Sequence, residues 1–280
     1  MLWNAKNGRV PLGGTDMDYA ALGYGRQALV LLPGLSDGLA TVRGKALLLA
    51  KPYRMFFEKY TVYMFSRKNR MPEGWSIRDM AADQAAAMKA LGLKKAAVMG
   101  VSQGGMIAQC LAADHAELVG ALVLAVTAPR VNGIIRPCVE NWIRLAKQGD
   151  HRQLMIDTAE KSYSEKYLKK YRKLYPVIGA VGKPADYSRF LVNAEAILRF
   201  DGAGGLKDVS CPVLIIGGTE DRIVGPEASR ELKALIPGSE LYITKGWATP
   251  HTRRRRTSMN GCSGSLKGKC YKRHNPFIIP

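Results

Sequence analysis

Short apolar runs that stop at turn residues recur through the first 244 residues, and the stretches between several of them have the period of a helix. "ALVLLPG" (28–34), "YTVYMFS" (60–66), "KAAVMGVS" (95–102), "VGALVLAVTAP" (119–129), "CPVLIIGGTED" (211–221) and "SELYIT" (239–244) each read as a strand. Helices are expected at 76–93, opened by a serine N-cap and stopped at Gly92, at 104–115 and at 226–236. The strands are near-continuous apolar runs rather than alternating ones, so both of their faces must be buried. Alternation of such strands with helices demands a mostly parallel sheet covered on both sides, an α/β doubly wound architecture.

Residues 131–200 break the alternation. Apolar residues fall there at helical spacing (Trp142, Ile143 and Ala146; Leu154 and Met155; Phe190, Leu191, Ala194 and Leu198), and no strand is expected. The segment reads as a helical insertion between two strands. The expected organisation is a core of 1–130 and 201–244, a helical cap of 131–200, and a basic tail of 245–280, expected to be disordered.

The net charge of +19 invites a nucleic-acid reading, but it is unevenly placed. Residues 245–280 hold nine Lys and Arg and no acid; the first 244 carry 33 basic and 23 acidic side chains. "EKYLKKYRKLYP" (165–176) concentrates much of the remainder and reads as a solvated helix face. No nucleic-acid partner is expected. No apolar run reaches the ~18 residues of a membrane span, and the N-terminus lacks the apolar stretch of a signal peptide. Five cysteines show neither metal spacing nor a paired framework, which fits reduced thiols in the cytoplasm. No metal or cofactor motif is present.

"GVSQGG" (100–105) lies between a strand and a helix and places Ser102 at the centre of G-x-S-x-G. Glycines there allow a tight turn that lifts the hydroxyl above the sheet edge at a helix N-terminus. A serine hydroxyl needs a base to take its proton, and the base needs a carboxylate to hold its tautomer. In this kind of site the chain order is Ser, then acid, then His. Asp221, just past a late strand, is the expected acid, with Glu220 as the fallback. The oxyanion requires two main-chain donors: the N–H of Gln103, and one from the loop "LLPGLSDG" (31–38), where Leu35 is expected.

These segments resemble the α/β-hydrolase fold family, in particular small cap-bearing hydrolases of the enol-lactonase and carboxylesterase kind. The resemblance spans roughly 17–244, carried by "LVLLPGLSDG", by the segment 100–129 and by 211–243. It departs at Pro33-Gly34, where the family commonly has His-Gly, a tolerable change because the donors are main-chain. The resemblance implies a serine hydrolase acting on a small ester, thioester or lactone through an acyl-enzyme, with the cap roofing the pocket. A non-catalytic binding protein on the same fold is the alternative.

The histidine is the difficulty. His115 follows the nucleophile helix, His151 lies in the cap, and His274 is near the end. His251 remains as the candidate base, 30 residues past Asp221. The family motif G-x-G-H does not precede it, and "RRRRTSMNGCSGS" is no amphipathic helix. With suitable synonymous codons, residues 245–268 read in a shifted frame give GLGHAAYEEAKDFDERMLWFLKG, which supplies that motif and a closing helix. The expectation is therefore a frameshifted C-terminus, impaired catalysis and a poorly soluble product. A nuclear-localisation or nucleic-acid patch, and a genuine tail of other use, are the alternatives.

Overall fold

The computed structural model describes residues 2–179 and 182–245. The sequence opens on a hairpin, β1 (Lys6–Leu12) and β2 (Thr15–Leu22), joined by the two-residue turn Gly13-Gly14, both residues at positive φ. β3 (Gln27–Leu32) leads through a tight 3-10 turn, Leu35–Gly38, to α1 (Ala46–Tyr53) and β4 (Tyr60–Phe65). Then follow α2 (Ile77–Ala90), β5 (Ala96–Val101), α3 (Gln103–Asp114) and β6 (Val119–Ala125). After the insertion come β7 (Val213–Gly218), α9 (Pro226–Leu235) and β8 (Glu240–Thr244). The strands form one sheet in the order β1-β2-β4-β3-β5-β6-β7-β8. β1, β2 and β4 pair antiparallel, and every pair from β4 to β8 is parallel.

The run composition explains the layers. Val30 and Leu32 point to the side covered by α2 and α3, where they share a core with Met80, Met88, Ile107 and Leu111. Their neighbours Leu29 and Leu31 point to the opposite side and meet Leu49, Ala50 and Tyr53 of α1. β7 divides in the same way, Ile215 to one core and Leu214 and Ile216 to the other. A strand apolar at every position can fold only with both faces covered.

α2 begins where the sequence says it should. Ser76 accepts the Asp79 N–H at 3.1 Å, and the Asp79 carboxylate accepts the Ser76 N–H at 2.9 Å, a reciprocal capping box. Ser76→Ala is expected to cost about 0.5–2 kcal/mol. The check is the urea midpoint, with an unchanged m-value; an unchanged midpoint would mean the box adds nothing.

Between β6 and β7 lie α4 (Ile135–Lys147), α5 (His151–Ser162), α6 (Glu165–Tyr171), α7 (Tyr175–Ile178) and α8 (Ser188–Leu198). The insertion is closed at its base by a bridge between Arg130 and Asp201. Asn132 reinforces the entry, donating to the Val224 carbonyl at 2.8 Å and accepting the Ile134 and Ile135 N–H groups. Trp142, Leu145, Phe190 and Ile197 belong to the same core as α2 and α3, so the cap is packed onto the sheet layer. The basic run 165–176, expected as one helix face, is broken into α6, a 3-10 turn at Arg172–Leu174 and the start of α7, and Arg172 in that turn is paired with Glu160 and Glu165.

Candidate active site

β3 and β5 are neighbours in the sheet, yet the chain leaves β3 towards β4 on one side and enters β5 from the other. The carboxyl ends of these strands are the topological switch point, where ligands of open α/β sheets bind. Leu32 is in register with Gly100, so the loop after β3 and the turn after β5 emerge side by side.

Ser102 occupies that turn with φ 53° and ψ −122°, between the end of β5 and the start of α3. A side chain in this region costs of order 1–3 kcal/mol and persists only when its surroundings fix it. They do so here. The Ser102 N–H donates to the Ala125 carbonyl at 3.0 Å. Its own carbonyl accepts from the Gly105 N–H at 2.8 Å and the Thr127 hydroxyl at 2.8 Å. The flanking glycines are dictated by contact: a Cβ at Gly100 would lie 2.3 Å from the Gly104 carbonyl oxygen, and one at Gly104 would lie 2.0 Å from that of Leu32. Sequence alone predicted this turn, and the packing supplies its reason.

Gly34 passes directly over the serine; a Cβ there would sit 3.4 Å from Ser102 Cβ and 3.9 Å from its Oγ. The next residue, Leu35, opens the 3-10 turn, and Gln103 opens α3. Neither N–H has a hydrogen-bond partner among the described residues. Two unpaired donors thus flank the serine, one of them in the first turn of a helix, where N–H groups and dipole favour negative charge.

Asp221 follows β7, two strands from β5. That separation is roughly 9–10 Å between strand axes, enough for one side chain to bridge the two groups. It is 6 % exposed, whereas Glu220 is exposed, so the geometry favours Asp221 over the fallback. Its Oδ1 accepts the Ile223 and Val224 N–H groups, both at 2.9 Å. Burial pushes its carboxyl above the usual range, and the Val224, Ile223 and Gly225 N–H groups pull the other way. Cap helix α4 lies near it: burial pushes the Cys138 thiol up to about 12, Lys161 opposes, and Asp157 and Asp221 add to the rise.

His115 caps the far end of α3, about 20 Å along the helix from Ser102, with Glu117 3.9 Å away. His151 is buried at the start of α5, its ring 6.2 Å from that of Tyr187. His251, the shifted-frame histidine and the whole of 246–280 lie outside the described residues. Among the described residues no cluster of three His, Cys, Asp or Glu could hold a metal ion, and no helix is long and apolar enough to cross a membrane.

The sequence reading missed a buried polar group behind the serine. Asp37, Arg67 and Asn193 are all below 5 % exposed and, with Arg189, connect to the Gln103 side chain. Each is an ordinary loop or helix residue in sequence. Only the fold brings the four elements together.

The chain matches the family model for the alpha/beta hydrolase fold over residues 28–248. It is 26 % identical over 246 residues to a protein of Caulobacter segnis named as carbamate hydrolase RutD, covering 78 % of this chain and 82 % of that one. A like-named protein of Klebsiella pneumoniae is 27 % identical over 177 residues, 61 % of this chain and 65 % of the other. In structure the chain resembles the enol-lactonase of Burkholderia xenovorans LB400, with TM-score 0.69, 21 % identity, and 85 % and 91 % of the two chains covered. It also resembles MGS-M2, an alpha/beta hydrolase from a Medee basin deep-sea metagenome library, with TM-score 0.73, 17 % identity, and 86 % and 90 % covered. The eight-stranded, mostly parallel sheet, the serine turn at its switch point and the match over most of its length make this chain a member of the α/β-hydrolase fold family.

Proposed function

We propose that the protein is a serine hydrolase that cleaves the acyl bond of a small ester, thioester or lactone through an acyl-enzyme. The observation that carries this is Ser102, held in a strained conformation between Gly34 and the first turn of α3. Its Oγ attacks the carbonyl carbon and gives its proton to a histidine oriented by Asp221. The oxyanion is held by the Leu35 and Gln103 N–H groups. The protonated base then protonates the leaving alcohol or thiol, and water releases the acid. In the sequence as it stands His251 is the candidate base; in the shifted frame the histidine falls three residues earlier, across the codons of Ala248 and Thr249. The names of the relatives add a carbamate to the substrate classes worth testing. The cap supplies the roof of the pocket, and the reduced thiols fit a cytoplasmic enzyme.

Turnover of p-nitrophenyl acetate tests the reading, with Ser102→Ala and His251→Ala beside the parent chain. Losing the nucleophile costs about 10⁶ in kcat in one serine protease, with a residual rate about 10³–10⁴ over water, so Ser102→Ala is expected to fall by several orders of magnitude. The chain as it stands is expected to turn over slowly for want of its base, so the comparison is repeated with residues 245–280 replaced by the shifted-frame segment; equal turnover with and without Ser102 in that chain would refute the assignment. Sequencing the coding DNA from codon 240 to the stop decides which histidine the gene encodes.

A further inference from the structure

Behind the serine turn lies a charged cluster that the hydrolytic steps above do not use. Asp37 lies within the turn after β3, Arg67 stands two residues past β4, Gln103 opens α3, and Arg189 and Asn193 lie on cap helix α8. The Asp37 Oδ2 accepts the Arg67 N–H at 2.8 Å and Arg189 Nη2 at 2.6 Å. Arg189 also donates to the carbonyl oxygens of Asp37 and Arg67. Arg67 Nη2 donates to Gln103 Oε1 at 3.0 Å. The Gln103 amide in turn donates to the Asn193 carbonyl at 2.8 Å, and the Asn193 amide donates to the Arg189 carbonyl at 2.8 Å. The circuit closes on itself through three core loops and one cap helix.

Such a cluster is an expensive way to fill space. Arg67 is 1 % exposed, and among the described residues its Nε and Nη1 have no hydrogen-bond partner, nor do Asp37 Oδ1 and Asn193 Oδ1. Burial lowers the Arg67 pKa to about 10, against the pull of Asp37. Burial pushes the Asp37 carboxyl up, but Arg189 and Arg67 outweigh it and hold it below the usual range, so it is ionised. Buried ion pairs often contribute less to stability than apolar side chains of the same volume. The cluster is therefore poorly accounted for by stability alone. Its placement is distinctive: it grips the side chain of Gln103 at both ends and the turn that begins at Leu35. These are the two residues whose N–H groups flank Ser102. It also carries one more positive than negative charge, the sign that favours an oxyanion.

We propose that Arg67, Asp37 and Arg189 are positioning residues that fix the Gln103 and Leu35 N–H groups and make their placement depend on cap helix α8. The inference rests on the reading of those N–H groups as oxyanion donors. Substrate that displaces α8 would then alter the hole through Arg189, so that the cap acts on turnover as well as on binding. A donor shifted out of line loses much of its value in the transition state and little in the ground state. The signature is a fall in kcat with KM nearly constant.

The test is Arg189→Met, which keeps an apolar stem at a site whose side chain is 15 % exposed and removes the fork. Backbone amide exchange is read first, because it needs no activity. Segments 33–39 and 101–106 are expected to exchange about tenfold faster, with α2 unchanged. On p-nitrophenyl acetate, kcat is expected to fall about 10–100-fold with KM within about threefold, and Arg189→Lys to recover part of the loss. Unchanged exchange in both segments, or uniform loosening that includes α2, overturns the proposal, as does kcat within twofold of the parent. Should Arg189→Met fail to fold, Arg189→Lys carries the same comparison with smaller changes in the same two segments. If the two segments loosen as stated while the parent chain neither turns over the ester nor forms an adduct at Ser102, the coupling stands and the hydrolase reading falls.

Discussion

Gly104→Ala is expected to leave no stably folded protein. The added methyl would lie 2.0 Å from the Leu32 carbonyl oxygen and 2.5 Å from its carbon, both main-chain atoms at the carboxyl end of the central strand β3. A side chain can turn away from such a clash; a hydrogen-bonded strand cannot. Ordinary overpacking costs about 1–3 kcal/mol, and losses above ~4–5 kcal/mol are exceptional. This one belongs among the exceptions and is comparable with the ~5–15 kcal/mol that holds a domain together. Gly133→Ala is the control, since nothing lies within 4 Å of its Cβ position and its φ is not positive. Circular dichroism melts of the two variants check the claim. A parent-like melt for Gly104→Ala would show that the turn is not packed as described.

Asp221→Asn is expected to move activity and stability in opposite directions. Burial raises the folded pKa of this carboxyl above its unfolded value of about 3.9. The folded protein then keeps the proton to higher pH than the unfolded chain does. The group's contribution is most favourable below the unfolded pKa and is lost as pH rises through the folded one. At neutral pH the full cost of a buried charge is present. Asparagine has the same shape, keeps an oxygen for the Ile223 and Val224 N–H groups, and removes the charge. Its Tm should exceed that of the parent at pH 7.5, and the gap should close as pH falls below about 4. Turnover should drop by about 10⁴, as it does when the orienting acid of the serine-protease triad is so changed. A variant less stable than the parent at pH 7.5 would mean that a cation neutralises Asp221 in the folded state.

The central strands were legible because burial on both faces leaves no polar position in them. β4 to β8 fall within the runs read from sequence and β3 begins one residue before its run; α3 and α9 lie within a residue of their expected ends, and α2 stops three residues before its own. The N-terminal hairpin was not foreseen. β1 is mostly exposed and contains Pro11, so it lacks an apolar run, although Gly13-Gly14 was a usable turn signal. α1 was missed for a related reason: eight residues with Pro52 near the end carry too little period. The turns that carry Ser102 and Asp221 were legible because each follows an apolar run that ends in glycine or another turn residue; the roles of the two side chains belong to the proposal above. The Arg67 cluster was not, because Asp37 and Arg189 alone stand 152 residues apart and only the packing of α8 against the turn after β3 unites its members.

The most direct test of the account is covalent. A fluorophosphonate phosphonylates a serine, with loss of fluoride, readily only where a neighbouring base and an oxyanion hole activate it. The folded parent chain, the same chain unfolded in urea, and Ser102→Ala would be treated together and the adduct mapped by mass spectrometry. The account predicts one adduct, on the peptide containing Ser102, in the folded parent chain alone. An adduct on another residue, or none either on the parent chain or on a cooperatively melting chain that carries the shifted-frame segment in place of 245–280, would contradict it.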